Sequence, residues 1–183
     1  MDYYLDIQLL PDLEFSEQAL LNALFAKFHR ATNKVATGKI AVSFPEARKL
    51  LGSKLRLHGN ADSLKVLMAE NWLKGMKDYC DFSDITQVPA DTQHRIVKRV
   101  QAKSVHNKRK RSISKGWSTE AEAVEKFPES KERKLKLPYL EVKSLSNSNR
   151  MRVYIEQGPL LAESKQGELN SYGLSAEATI PWF

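Results

Sequence analysis

The stretch KIAVSFPEARKLLGSKLRLHG, residues 39–59, holds two short alternating segments in succession. In KIAVSF (39–44) Ile40, Val42 and Phe44 fall on one side, and in KLRLHG (54–59) Leu55 and Leu57 do. Apolar residues at every second position mark half-buried β-strands. Working outward, YYLDIQLL (3–10) reads as a strand stopped by Pro11 and Asp12. Ser16 follows as the N-cap of a helix to about residue 32, with Leu20, Leu21, Leu24, Phe25 and Phe28 on one face. On the other side Asp62 or Ser63 opens a second helix through Leu64, Leu67 and Met68, continuing past Trp72 to Met76 with a kink near Gly75. Strand-like residues return at 85–88 and again at 95–100. The order β-α-β-β-α-β predicts an α+β protein whose residues 1–91 form a ferredoxin-like domain.

The remainder, 92–183, reads as a smaller mixed α/β domain. A basic helix is expected at about 105–115, ended by Gly116, and a second helix at 118–126 capped by Ser118. From Pro138 onward strand patterns return in YLEVKSL, RMRVYIEQ and PLLAES. Boundaries of this kind hold to a few residues.

Charge is concentrated. Of 29 Lys and Arg against 22 Asp and Glu in 183 residues, residues 92–119 hold nine cations and no acid. The other 155 residues carry 20 cations against 22 acids, so the net +7 is a local feature. An acid-free run of this length is not a face laced with ion pairs, and it points to a polyanion as partner. No zipper, finger or helix-turn-helix pattern favours DNA, and no aromatic-rich RNP1 run favours base stacking on a sheet. A charged helix points instead to a folded RNA stem, gripped along its deep, narrow major groove.

Other classes are excluded by composition. No apolar run approaches the roughly 18 residues of a membrane span, and the N-terminus lacks a signal-peptide pattern. Cys80 is the single cysteine, and His29, His58, His94 and His106 show no metal-ligand spacing. The expectation is a reduced, cytoplasmic protein without metal or other cofactor and without membrane attachment.

Six segments occur in one order: the opening YLDI, the helix end FAKFHR, RVQAKS at 99–104, the basic helix, the S-x-S at 144–146 and the ending YGLS…PWF. Together they resemble the type I-F CRISPR repeat-processing endoribonucleases, the Csy-complex pre-crRNA nucleases. That resemblance implies an enzyme that binds each CRISPR repeat stem-loop and cuts at the 3′ base of the stem. It implies no metal, the upstream ribose 2′-OH as nucleophile, and retention of the product within a crRNA-guided complex of other subunits. By position it assigns catalysis to His29, Ser144 and Tyr172, the tyrosine orienting the histidine. Ser146 and Asn147 become phosphate and sugar contacts, and Arg99 and Gln101 readers of base edges. Lys103, Lys108, Arg109, Lys110, Arg111 and Lys115 complete the implied RNA surface. Two departures are visible. Met151 stands where the family has a Phe that stacks under the stem, and a thioether stacks poorly. The basic helix is richer in lysine, which lacks the guanidinium fork.

Apart from the resemblance, RNA binding rests on the charge pattern, whereas catalysis does not follow from any spacing. His29 sits near the expected helix end, where the dipole favours a protonated ring. A non-catalytic hairpin-binding subunit of a guide-RNA complex is the competing reading. Retention of His29, Ser144 and Tyr172 together favours the enzyme. A basic ribosome- or DNA-associated protein would leave those three positions unexplained.

Overall fold

The computed structural model describes residues 1–101, 104–131, 135–143 and 150–183, with only the backbone of Lys131. Its described residues form a mixed α+β protein with four α-helices and two antiparallel sheets. The first sheet contains β1 (Tyr3–Leu9), β2 (Ala41–Ser43), β3 (Lys54–Gly59), β4 (Cys80–Phe82) and β5 (Thr86–Gln87). Its order is β2-β3-β1-β4, with β5 also on β1, and these strands pair antiparallel. Helices α1 (Glu17–Val35) and α2 (Ala61–Ala69) pack on it. The second sheet orders β7 (Tyr139–Lys143), β8 (Arg150–Leu161), β6 (Gln93–Val100) and β9 (Thr179–Trp182) as β7-β8-β6-β9. Helices α3 (Val105–Ser114) and α4 (Glu120–Lys126) lie between β6 and β7 in the chain.

Contacts divide the chain into residues 1–99 with 137–183, and residues 100–136. This grouping does not follow a cut between 91 and 92. In the first unit α1 packs on β7, so the late strands share a core with the early ones. The join is polar as well as apolar. Gln18 Nε2 donates to the Tyr139 carbonyl at 3.1 Å, and the Glu141 amide donates to Asn22 Oδ1 at 2.9 Å.

Local signals account for most element ends. Ser16 caps α1, its side chain accepting from the Ala19 amide. The cap of α2 is Asn60, not Asp62 or Ser63, because Asn60 Oδ1 accepts the Ser63 amide at 2.7 Å. That helix ends at Ala69 rather than running to Met76. Trp72, Leu73 and Met76 still bury their side chains, which explains the apolar periodicity, but Gly75 holds a φ of 75° that an α-helix does not allow. Thr119, not Ser118, caps α4 through a reciprocal pair with Glu122. Alternation in β2 and β3 understates their burial. Ser43 and His58 are fully buried and share a 2.8 Å hydrogen bond. Arg56 is covered by a two-pronged pair to Asp6 at 2.6 and 2.9 Å and lies over the rings of Tyr4 and Phe183.

Candidate active site and nucleic-acid interface

His29 lies on α1, one turn from Phe25 and Asn33. The helix runs on to Val35, so His29 stands nearly two turns from its C-terminus, too far for the dipole of the last turn to protonate it. The ring is half-buried, and burial together with the neighbouring Arg30 charge lowers its pKa below the ordinary 6.5. Its resting form is therefore neutral, opposite to the expectation from a helix end. Asn33 Nδ2 lies 3.0 Å from His29 Nε2. An amide nitrogen only donates, so this contact uses Nε2 as acceptor and leaves the proton on Nδ1.

A loop from the far end of the chain covers the ring. The Asn170 side chain accepts the amides of Tyr172 and Leu174 at 2.9 and 3.2 Å, an Asx-type turn. Gly173 then presses against β2, where its carbonyl accepts the Val42 amide at 2.9 Å. Its φ is 71°, and an added Cβ would sit 2.7 Å from the Ile40 carbonyl oxygen. Only glycine fits there. With its loop fixed in this way, Tyr172 stacks on His29 with ring centroids 4.5 Å apart and planes 11° from parallel. Phe25 lies parallel to the same tyrosine ring at 6.3 Å. The Arg99 guanidinium, from β6, sits over the Tyr172 ring at 5.1 Å, and its Nε has no hydrogen-bond partner among the described residues.

Three of the positions singled out in the sequence, His29, Tyr172 and Arg99, thus converge from a helix, a loop and a strand. Ser144, Ser146, Asn147 and Lys103 lie outside the described residues. Met151 is half-buried on β8 opposite Val142. Asn33 was not singled out, although polar residues four apart on a helix share a face. Phe25 was read only as core.

In the second unit, Ser104 caps α3 and Gly116, at φ 68°, ends it. Lys110, Arg111 and Lys115 are exposed, Gln101 is exposed just before the helix, and Lys108 is half-buried. None of the four cations makes an ion pair among the described residues. Arg109 has a second task, since its Nε donates to the Phe127 carbonyl at the end of α4 at 2.8 Å. Ser112 is buried and bonded to Ser118, so the exposed cationic surface excludes it. Among the described residues no three His, Cys, Asp or Glu side chains group as metal ligands. No described helix is long and apolar enough to cross a membrane.

A family model described as "CRISPR-associated protein (Cas_Csy4)" matches residues 4–183. The chain belongs to this family. It is 48% identical to a CRISPR-associated endonuclease Cas6/Csy4 of Escherichia coli (strain UTI89 / UPEC), over all of both chains. It is 40% identical, again over all of both chains, to a CRISPR-associated endonuclease Cas6/Csy4 of Pseudomonas aeruginosa (strain UCBPP-PA14). As a Csy4-family member the chain carries its basic helix and its His29 cluster within the matched region.

Proposed function

We propose that this chain is a metal-independent endoribonuclease that cuts CRISPR repeat hairpins in precursor crRNA and keeps the product stem-loop. It then serves in the cytoplasm as a subunit of a crRNA-guided complex. The observation that carries this reading is the convergence of His29, Tyr172 and Arg99 in a member of a family whose relatives are named endonucleases. The first-sheet order β2-β3-β1-β4, with antiparallel neighbours, supports a ferredoxin-like βαββαβ unit as its scaffold.

The chemistry runs through the RNA's own 2′-OH. His29, neutral at rest, takes the 2′ proton at a ring nitrogen as the 2′ oxygen attacks phosphorus. A substrate hydroxyl arriving at Nε2 replaces the exposed Asn33 amide there. The bond to the 5′ oxygen breaks, that oxygen takes up a proton, and a 2′,3′-cyclic phosphate remains. Tyr172 holds the imidazole plane by stacking, so the ring loses little freedom when substrate arrives. Ser144, assigned to the same site by the family resemblance, follows β7 directly, with Ser146 and Asn147 as phosphate and sugar contacts. By the family resemblance Arg99 and Gln101 read base edges near the foot of the stem, Lys103 and Met151 also contact the RNA, and the cations of α3 hold the stem's phosphates.

Incubating the protein with a panel of repeat hairpins in EDTA, and sequencing the ends, tests the reading. Cleavage at the 3′ base of the stem, leaving a cyclic phosphate, is expected. A hairpin with a 2′-deoxy sugar just upstream of the cut is expected to bind and stay intact. Cleavage of the deoxy hairpin, or its loss in EDTA, overturns the mechanism. Tight binding without any cleavage favours the non-catalytic subunit instead.

A further inference from the structure

Trp117 is 64% exposed at the end of α3, in the acid-free basic run. Its position is built rather than incidental. The Gly116 amide donates to the Ile113 carbonyl and the Trp117 amide to the Ser112 carbonyl, both at 2.9 Å. With Gly116 in the left-handed region, this is the Schellman closure of a helix. One residue later the Ser118 hydroxyl meets Ser112 Oγ at 2.9 Å, and Thr119 starts α4 with its capping box. Backbone freedom is thus removed on both sides of Trp117. A Schellman turn commonly lays the residue after its glycine onto the last helical turn as an apolar contact. Here the residues that would take that contact are Ser112 and Arg111, neither of them apolar, so nothing draws the indole back onto the helix. The indole stands exposed at the end of the helix turn that carries Arg111 and Lys115, both exposed and without an ion pair among the described residues.

We propose that Trp117 is a stacking platform for an unpaired nucleobase of the bound hairpin, next to the paired segment that α3 follows. The inference rests on α3 being the nucleic-acid interface. Its cations engage phosphates, which carry no flat apolar surface, whereas an exposed indole matches the π-face that every unpaired base presents. Two exposed cations in the last turns of α3, followed by an exposed aromatic on a fixed backbone, complement RNA in both charge and shape. Ten residues of helix span roughly 15 Å at 1.5 Å per residue, so a side chain at the helix end meets RNA well away from the middle of α3.

The test measures binding of the parent, Trp117→Phe and Trp117→Ala to a repeat hairpin. The same stem is also offered with abasic residues scanned through the loop and both flanks. Trp117→Ala is expected to weaken binding to the intact hairpin by about 5- to 150-fold, the range for loss of one stacked base. Trp117→Phe should keep most of the affinity. At one abasic position the parent should lose a similar factor, and Trp117→Ala should lose little more there. Intrinsic fluorescence should be quenched by hairpin in the parent and far less in Trp117→Phe, where Trp72 and Trp182 remain. Circular dichroism of both variants checks that α3 and α4 persist. An Ala effect equal on every abasic RNA, or no effect on any, overturns the stacking role. So does a change confined to self-association or protein binding. Absence of hairpin binding by the parent, with no salt dependence traceable to Arg111 and Lys115, fails at the interface itself and so overturns both readings together.

Discussion

His29 shows how burial, charge and stacking tune one side chain. Burial and Arg30 disfavour its charged form, Asn33 occupies one ring nitrogen, and Tyr172 fixes the plane. A histidine held neutral near pH 7 can accept a proton without first losing one. On the proposed mechanism the nucleophile belongs to the RNA, so His29 would contribute to proton transfer and little to ground-state binding. His29→Ala is therefore expected to slow single-turnover cleavage by at least about 100-fold. Hairpin affinity should change by less than about 1.4 kcal/mol, a factor of ten. The parent's rate should rise with pH along a limb centred below 6.5 and then level off, since the lowered pKa makes the base form available early. Single-turnover rates across pH 5 to 8, beside a binding titration, check all three outcomes, and a variant that cuts at the parental rate removes His29 from the chemistry. The position of this residue was legible in FAKFHR through family resemblance, but its neutral state was not. Desolvation depends on the loop at 170–174, which sequence neighbours of His29 do not reveal.

Helix α3 was legible because the cation run and the Gly116 stop are local signals, although its Ser104 cap was not singled out. What its sequence concealed is which side is spent on packing. Val105 and Ser112 face inward, and Arg109 is drawn to the end of α4, which leaves Lys108, Lys110, Arg111 and Lys115 for the proposed RNA interface. Phosphate contacts release counterions, and about four of them give a slope of log K against log salt near −3 to −4. Neutralising Arg111 and Lys115 together, as Arg111→Gln and Lys115→Gln, is expected to make that slope shallower by about 1 to 2. Filter-binding titrations from low to moderate salt measure it, and an unchanged slope would remove α3 from the RNA surface. The extent of α2 was misjudged for the opposite reason. Trp72, Leu73 and Met76 keep a helical apolar spacing in a segment that buries the same face through turns.

Across the whole molecule, the pairing of the first sheet creates a titration that stability should report. His58 on β3 is fully buried, bonded through Nε2 to Ser43, and its Nδ1 has no partner among the described residues. Burial first, then the Arg56 and N-terminal charges, lower its pKa to about 3. The unfolded chain binds a proton below about 6.5 while the folded chain resists until about 3, so stability falls as pH drops through that window. Between pH 6 and 5, where carboxylates titrate little, His58 should cost the fold about 1 kcal/mol. Urea unfolding of the parent and of His58→Gln over that range is the measurement. The variant should lose this share of the acid dependence, and identical slopes would contradict it.

The sequence by itself determined the periodicities, the Ser16 cap, the acid-free basic run and the family to which the chain belongs, because each is a property of neighbouring residues. Only the tertiary structure decided that β7, β8 and β9 share a unit with β1 through β6 rather than with α3. It alone laid Tyr172 over His29 and placed Arg99 over Tyr172. Pairings between distant segments depend on which faces bury each other and where a backbone can approach closely. At Gly173 that approach leaves no room for a side chain, and this close contact holds Tyr172 against the histidine.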